Sequence, residues 1–504
     1  MHMRIWSSAA ALFLAAALGG CETPNINPVT GNPIYTRVSS ATEDEYGRKL
    51  NAEMIAAYGV YQDAQLTAYV DRVGQALAKN VVRKDVHYTF TILEDDDNNA
   101  FALPGGYVYI TRGALNFANS EAELAAILAH EIGHVDAFHF NGGERDTMSG
   151  VLSVLLQHSS TDADELAMAR SLAEKATKSS GFSKPQEFEA DALSIHYLTL
   201  AGYDPEGMVA ALRTEQAKTL LDDGMKGNPI AHDIFALDDS HPATPDRAAR
   251  AEAAVKAEAA KMAAPAPGVT PQTGVTPRTG ANLKTDRDAY LAAIDGMVFG
   301  VDPGEGMVEG RRLVNPALGF SFEAPKDFDL WTSHDGAFGV GRNAVLILEA
   351  TDKYAGQSMV TYVQSSITQE MTVDNVRPLE IAGYRGAAGT VTMDPFVIRV
   401  GAVHDRGNRI YQLMYMTTRR AFGDQDSGFL DSLKSFRPLD AAEAKAKPAP
   451  RLHIVTVAKG DTVKSLAERM AVPEKKLEWF RVLNGMAAGD EVKAGDKVKV
   501  VEGK

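Results

Sequence analysis

Cysteine is almost missing from these 504 residues, with Cys21 the only one. No disulfide framework can form within the chain, so each folded unit must be held by its own core. Long apolar runs are also scarce. Residues 5–18 form an apolar stretch with no charge, short of the roughly 20 residues a spanning helix needs, and 151–156 is far shorter. An excess of positive charge is lacking too. The net charge of −15 is spread along the chain and argues against nucleic-acid binding as the main role. The acidic run Asp95-Asp96-Asp97 is short and reads as a solvated loop. With 45% hydrophobic and 23% charged residues the chain is globular in composition, and its length calls for several folded units.

The position of the cysteine carries information. Arg4 and the apolar stretch lead into Leu18-Gly19-Gly20-Cys21, which resembles the bacterial lipobox, where the cysteine is acylated after cleavage. The resemblance implies a signal peptide at 1–20 and a lipid anchor on Cys21 at the bacterial cell envelope. Glu22 follows, not aspartate, which favours the outer membrane, facing the periplasm. Residues 21–40, rich in Pro, Asn and Thr, read as a tether. Residues 263–286, where Gly-Val-Thr-Pro occurs twice, and 441–451 read as linkers. Three units remain, at 41–262, 287–440 and 452–504.

In the first unit, helical periodicity begins near Asp44, and residues 88–93 alternate as a half-buried strand. Pro104-Gly105-Gly106 marks a turn before a second strand, Tyr107-Val108-Tyr109-Ile110-Thr111. Ser120 and Glu123 form a capping-box pattern that predicts a long helix to about Phe140, and the pattern stays helical to about Met262. The second unit mixes strand-like runs at 344–348, 359–363, 397–403 and 410–416 with few helices, as in an α/β or α+β module.

The predicted long helix carries His130-Glu131-Ile132-Gly133-His134. Two histidines four apart share a helix face about 6 Å apart along the axis, a spacing that suits one Zn²⁺. Glu131 stands beside them, where a carboxylate can take a proton from water. The preceding Leu124-Ala125-Ala126-Ile127-Leu128-Ala129 is wholly apolar, and a carboxylate buried there is costly without a metal or partner. A third ligand is needed. On a straight helix His139 lies about 13.5 Å beyond His130 and faces away, so it reads as structural. The search moves to a second helix, opened by Ser183, Pro185 and Gln186, with the run Glu187-Phe188-Glu189-Ala190-Asp191. Glu187 and Asp191 share a face and Glu189 points away. One carboxylate as ligand, with the other orienting a ligand histidine, is one reading; an exposed acidic helix start is the other.

Asn99-Ala100-Phe101-Ala102-Leu103-Pro104-Gly105-Gly106 with the strand that follows, then His-Glu-Ile-Gly-His, then Glu-Phe-Glu-Ala-Asp, is similar to the CAAX-prenyl-protease-type gluzincin family of zinc metallopeptidases, especially its periplasmic branch. The likeness covers about 45–250. It implies a mainly α-helical metallopeptidase domain with a small β-sheet, His130, His134 and Glu187 as zinc ligands, Glu131 as general base and Asp191 as the outer partner of a ligand. It also implies that Tyr107–Thr111 is an edge strand pairing with extended substrate. His241-Pro242, followed by Asp246-Arg247, is similar to a further segment of the family, which implies His241 as a removable fourth ligand that holds the enzyme off; a structural histidine at a helix start is the other reading.

Lys459-Gly460-Asp461-Thr462-Val463, Leu483-Asn484-Gly485 and Ala494-Gly495-Asp496-Lys497-Val498 resemble a LysM domain, a βααβ module that binds glycan. Val455 stands where that pattern often has tyrosine, so both peptidoglycan binding and a docking role without glycan are carried forward. The segment 316–325 faintly resembles the opening of PsbP-like sandwiches, and no catalytic constellation accompanies it. Together these features predict a zinc endopeptidase of the envelope that degrades unfolded or misassembled proteins. The competing readings are an assembly factor with a mostly silent protease and a hydrolase of peptidoglycan cross-links.

Overall fold

The structure is a computed structural model. It describes residues 25–139 except 36–37, 167–172 except 170, 182–224, 241, 245–263, and 283–503 except 305, 334–335, 353, 366–371, 406 and 446–447. Cys21 and the signal-peptide segment lie outside the described residues, as does most of the 263–286 linker. No helix among the described residues is long and apolar enough to cross a membrane.

The chain enters through a small hairpin, β1 (Asn25–Ile26) and β2 (Pro33–Ile34). The tether expected through residue 40 is thus partly folded. Asn27 is the cause: its Oδ1 accepts from the Val29 and Thr30 N–H groups at 2.9 and 3.0 Å, which closes a turn. Two helices follow, α1 (Ser40–Tyr58) and α2 (Ala64–Ala78). Asp63 caps α2 by accepting from Gln65 and Leu66, and Leu66, Val70, Val73 and Leu77 form its buried stripe.

Strands β3 (Thr89–Leu93), β4 (Ala100–Leu103) and β5 (Tyr107–Thr111) form a sheet in the order β3-β5-β4, with β5 parallel to β3 and antiparallel to β4. The expectation that Tyr107–Thr111 lies at an edge is therefore corrected, because both of its sides are paired and the edge beside the next helices is β4. Thr111 caps the short α3 (Arg112–Phe117), which leads to α4 (Glu121–Asp136). Ser120 caps α4 as expected, but the Glu123 carboxylate reaches the Asn119 N–H instead of that of Ser120. Every residue of α4 except Ile127 is buried. Leu124, Leu128, Ile132 and Val135 are wholly inaccessible, each contributing roughly 1.5–3 kcal/mol of hydrophobic stabilisation. Helices α5 (Lys184–Ala201) and α6 (Glu206–Asp223) pack against it, and α7 (Pro245–Ala263) packs on α5 and α6.

The unit expected at 287–440 does not begin where composition placed it. Helix α8 (Arg287–Ile294) buries Tyr290, Leu291 and Ile294 in the same core as α4. The middle module proper starts at β6 (Met307–Glu309). With β7 (Arg312–Asn315), β8 (Phe320–Glu323) and the late strand β16 (Arg437–Pro438) it makes a four-stranded sheet. A seven-stranded antiparallel sheet runs β12-β13-β14-β15-β11-β10-β9. Its strands are β9 (Asp329–Ser333), β10 (Gly336–Val340), β11 (Ala344–Thr351), β12 (Asp374–Ile381), β13 (Tyr384–Met393), β14 (Phe396–His404) and β15 (Ile410–Thr418). Alternation divides its faces: Val345 and Ile347 pack with α9 (Met359–Ser365), and Leu346 and Leu348 pack with α10 (Arg419–Lys434). Residues 359–363, expected as a strand, are helical. Ser358 caps the Thr361 N–H at 3.0 Å, and Met359, Tyr362 and Val363 fall on one buried helical face, which overrides their β-propensity.

The C-terminal segment has the expected strand–helix–helix–strand order: β17 (Arg451–Thr456), α11 (Val463–Glu468), α12 (Lys476–Leu483) and β18 (Lys497–Glu502), with β17 antiparallel to β18. It is not a separate body. Leu452, Leu466, Phe480, Leu483 and Val500 join the core around α4. Lys499 on β18 is fully buried and donates to the carbonyls of Asn116, Phe117 and Ala118 at 2.8, 3.1 and 2.8 Å, filling acceptors left open at the end of α3.

Candidate metal centre

Helices α4 and α5 cross closely enough to bring their functional residues together, and Gly133 permits it. A Cβ there would lie 3.2 Å from the Ala190 carbonyl and 3.3 Å from Leu193 Cβ. Ser194 fastens the crossing by donating to the Ala126 carbonyl at 2.9 Å. Gln186 opens α5 by accepting from the Ser183 N–H at 2.9 Å, so Glu187 faces α4 one turn before Asp191.

His130, His134, Glu187 and His241 form one buried cluster, each offering a ligand atom within 4.8 Å of the others. His130 Nε2 lies 3.0 Å from His134 Nε2 and 3.3 Å from His241 Nδ1. Glu187 Oε1 lies 2.9 Å from His241 Nδ1 and 3.6 Å from His134 Nε2, and its Oε2 lies 3.4 Å from His130 Nε2. Ligand bonds of about 2.0–2.2 Å in a tetrahedron give edges of roughly 3.3–3.6 Å. The cluster is slightly tighter but of that size. Three imidazole nitrogens and a carboxylate converging in a buried place suit a divalent ion, and the nitrogen–oxygen donor set is one zinc accepts.

Surrounding groups hold the cluster. Asp191 Oδ1 lies 3.0 Å from His130 Nδ1, as expected for a carboxylate that orients a ligand histidine. Arg247 grips Asp191 through two hydrogen bonds of 2.7 and 3.0 Å, and also donates to the His241 carbonyl at 2.8 Å. Burial disfavours the imidazolium of His130, but Asp191 and Glu187 outweigh it and raise the pKa to about 10. Burial likewise opposes ionisation of Glu187, yet His130 and His241 pull its pKa well below the usual range. Burial and the neighbouring histidines press the His134 pKa far down.

His139 was expected to face away, but it touches the cluster. Helix α4 ends at Asp136 and the chain folds back: the Phe138 N–H bonds the Val135 carbonyl and the His139 N–H bonds the His134 carbonyl. This is a Schellman turn with Phe138 at φ 53° where glycine is usual, and the Arg83 guanidinium covers the Phe138 ring. His139 Nδ1 thereby reaches 2.9 Å from His134 Nδ1, and its Nε2 lies 3.3 Å from Glu189 Oε2. Phe182, which the sequence reading did not single out, stacks on the His134 ring at 3.7 Å between centroids. Glu131 is buried beside the cluster. Its Oε1 lies 3.8 Å from His241 Nε2, and its Oε2 has no hydrogen-bond partner among the described residues. A cleft is lined by Asn98, Asn99, Ala100, Met208, Leu212 and Thr214 together with His130, Glu131 and His241.

Residues 64–255 match the model for peptidase family M48. The beta-barrel assembly-enhancing protease of Yersinia pestis is 31% identical over 193 residues, 37% of this chain and 39% of that protein. The mitochondrial metalloendopeptidase OMA1 of Schizosaccharomyces pombe is 26% identical over 45% of this chain and 64% of its own. The metalloprotease LoiP of Escherichia coli K12 is 25% identical over 49% of this chain and 95% of its own. The chain thus spans about two fifths of the length of the first of these relatives. Among solved structures, PsbP of Synechocystis sp. PCC 6803 aligns over 27% of this chain and 98% of its own at 13% identity, with a TM-score of 0.21 that is too low to bear on the fold. Residues 64–255, which include all four residues of the metal cluster, are a peptidase family M48 domain homologous to these metalloproteases.

Proposed function

We propose that the chain is a zinc endopeptidase of the bacterial cell envelope that acts on unfolded or misassembled proteins. The observation that carries this reading is the buried His130–His134–Glu187–His241 cluster, of which His130 and His241 line a cleft together with Glu131, inside a family M48 domain. His130, His134 and Glu187 would hold the metal. Bound zinc supplies Lewis acidity, polarising the scissile carbonyl and making water a better nucleophile at neutral pH. Glu131, with an unengaged oxygen beside the cluster, takes the proton from the attacking water and delivers it to the leaving amine. The outer edge of β4 flanks the cleft and suits an extended peptide held by backbone hydrogen bonds, with little demand on side chains. Such recognition fits unfolded protein as substrate.

His241 occupies the fourth corner of the cluster and is held there by Arg247. If it ligates bound zinc as well, it would take the position that water needs and keep the resting site closed. Replacing His241 with Ala then raises casein turnover while zinc stays bound; unchanged or reduced turnover with zinc retained rules the closure out. The C-terminal segment serves as a LysM-like docking module built into the catalytic unit. The support is Lys499, whose buried contacts bind β18 to α3. A lipid on Cys21 places the unit at the outer membrane, and Cys21→Ser should release it from membranes. Casein and purified peptidoglycan offered side by side to pure protein with Zn²⁺ test the reaction class. Cleavage of casein alone is expected; cleavage of peptidoglycan alone would overturn the proposal.

A further inference from the structure

The two imidazoles of the His-Glu-Ile-Gly-His segment are supported in different ways. His130 has a carboxylate beside its outer nitrogen, with Asp191 Oδ1 at 3.0 Å from Nδ1. Among the described residues no carboxylate meets the outer nitrogen of His134, which instead lies 2.9 Å from another imidazole nitrogen, His139 Nδ1. His139 in turn meets Glu189 at 3.3 Å, and Glu189 Oε1 accepts from Asn27 Nδ2 at 2.5 Å. Asn27 is buried although it sits in the entry hairpin, far from these residues in sequence. A continuous polar line therefore runs from the hairpin, through α5 and the turn after α4, to His134.

We infer that His139 and Glu189 are positioning residues for His134, with Asn27 as the far end of the line. The inference rests on the reading of His134 as a metal ligand. Hydrogen-bond chemistry gives the line one direction. A His134 that offers its Nε2 lone pair to the cluster carries its proton on Nδ1, and that N–H needs an acceptor. His139 Nδ1 supplies the lone pair only when its own proton sits on Nε2, and Glu189 Oε2 accepts from that N–H. The carboxylate thus fixes the tautomer of His139, and His139 fixes the tautomer and ring angle of His134. It is the carboxylate–histidine brace common around bound metals, lengthened by one imidazole. Phe182, stacked on the face of the His134 ring, restricts its rotation without supplying a hydrogen bond. Asn27 has spent its oxygen on the Val29 and Thr30 N–H groups, so its amide nitrogen is oriented to donate to Glu189.

The test is Co²⁺ binding to the full chain, read by visible d–d absorption and by the rate at which a chelator strips the ion. His139→Phe keeps a ring and removes both nitrogens; Glu189→Leu removes the acceptor at a partly exposed position that tolerates change; Glu189→Gln keeps an oxygen. His139→Phe and Glu189→Leu should lose Co²⁺ about 10–100-fold faster and shift the absorption bands, with Glu189→Gln, which keeps one of the two accepting oxygens, less affected. Asn27→Ala should fall between them. Thermal melting of the metal-free chains reports folding separately, and Glu189→Leu keeps the test open should His139→Phe not fold. Wild-type spectra and stripping rates in both His139→Phe and Glu189→Leu overturn the inference, and a wild-type rate in Asn27→Ala removes the hairpin from the line. A wild-type chain that takes up no stoichiometric Co²⁺ would instead sink the metal-site reading.

Discussion

The unit around α4 and the middle module solve the same packing problem with opposite chemistry. Around α4, charges are buried and matched. Arg83 and Glu43 meet at 2.6 Å with both side chains 1% exposed, Arg247 grips Asp191, and Lys499 is enclosed by carbonyls. The middle module buries apolar side chains on both faces of a seven-stranded sheet and leaves most of its ion pairs near solvent, as with Arg311–Glu323. A buried charge is costly unless its partners are complete, so burying many in one place demands fixed geometry. A site that must hold an ion and a proton acceptor at set distances benefits from that rigidity, whereas a sheet held by area alone needs none. No metal-competent cluster was found among the described residues of the middle module.

Substitutions that remove single groups from each region should separate the two. The largest effect is expected at Glu187. Glu187→Gln should lower zinc affinity beyond the 10–100-fold expected for Asp191→Asn, and Glu189→Gln should change it least. Elemental analysis after dialysis against a graded chelator series decides the order; equal losses at 187 and 189 would show the wrong carboxylate was chosen. Next comes Lys499→Met. It orphans the carbonyls of Asn116, Phe117 and Ala118, and should destabilise the catalytic unit by about 1–3 kcal/mol, seen as a lower unfolding midpoint in urea. Independent melting of the C-terminal segment, with the catalytic unit untouched, would contradict the shared core.

Glu121 gives a pH-dependent signature. Burial opposes its charge, but hydrogen bonds from Arg72, Tyr69 and Tyr203 hold its folded pKa below the ordinary value. Its contribution to stability is therefore present above the unfolded carboxylate pKa of about 4.3 and is lost as pH falls through the folded value. The Tm gap between wild type and Glu121→Gln should close on acidification below that pH and stay constant above it. The smallest effect is expected in the middle module, where Arg311→Ala should cost under about 1 kcal/mol because the pair it breaks is half exposed. A larger loss there would erase the contrast between the regions.

The metal site was readable because its chemistry constrains spacing. Two histidines one helical turn apart and a capped second helix with Glu187 and Asp191 on one face leave few arrangements, and the structure brings all four together with His241. Geometry that depends on tertiary contacts was hidden. His139 looked out of reach because a straight helix was assumed, and the Phe138 turn offers no glycine as a signal. Strand β5 looked like an edge because the sequence does not announce that β4 returns beside it. The hydrophobic positions of the C-terminal segment predicted its secondary structure, yet nothing about Lys499 in isolation shows that an amine will be buried against another unit. In 359–363, branched residues argued for a strand, and a serine cap with one apolar face decided for a helix.

The central claim is that Glu131 works on water and the histidine–glutamate cluster works on the ion. Pure Glu131→Gln protein, assayed together for zinc content and casein turnover, tests it most directly. One Zn²⁺ per chain with turnover reduced about 10²–10⁴-fold is the predicted result. Full turnover with zinc retained would contradict it.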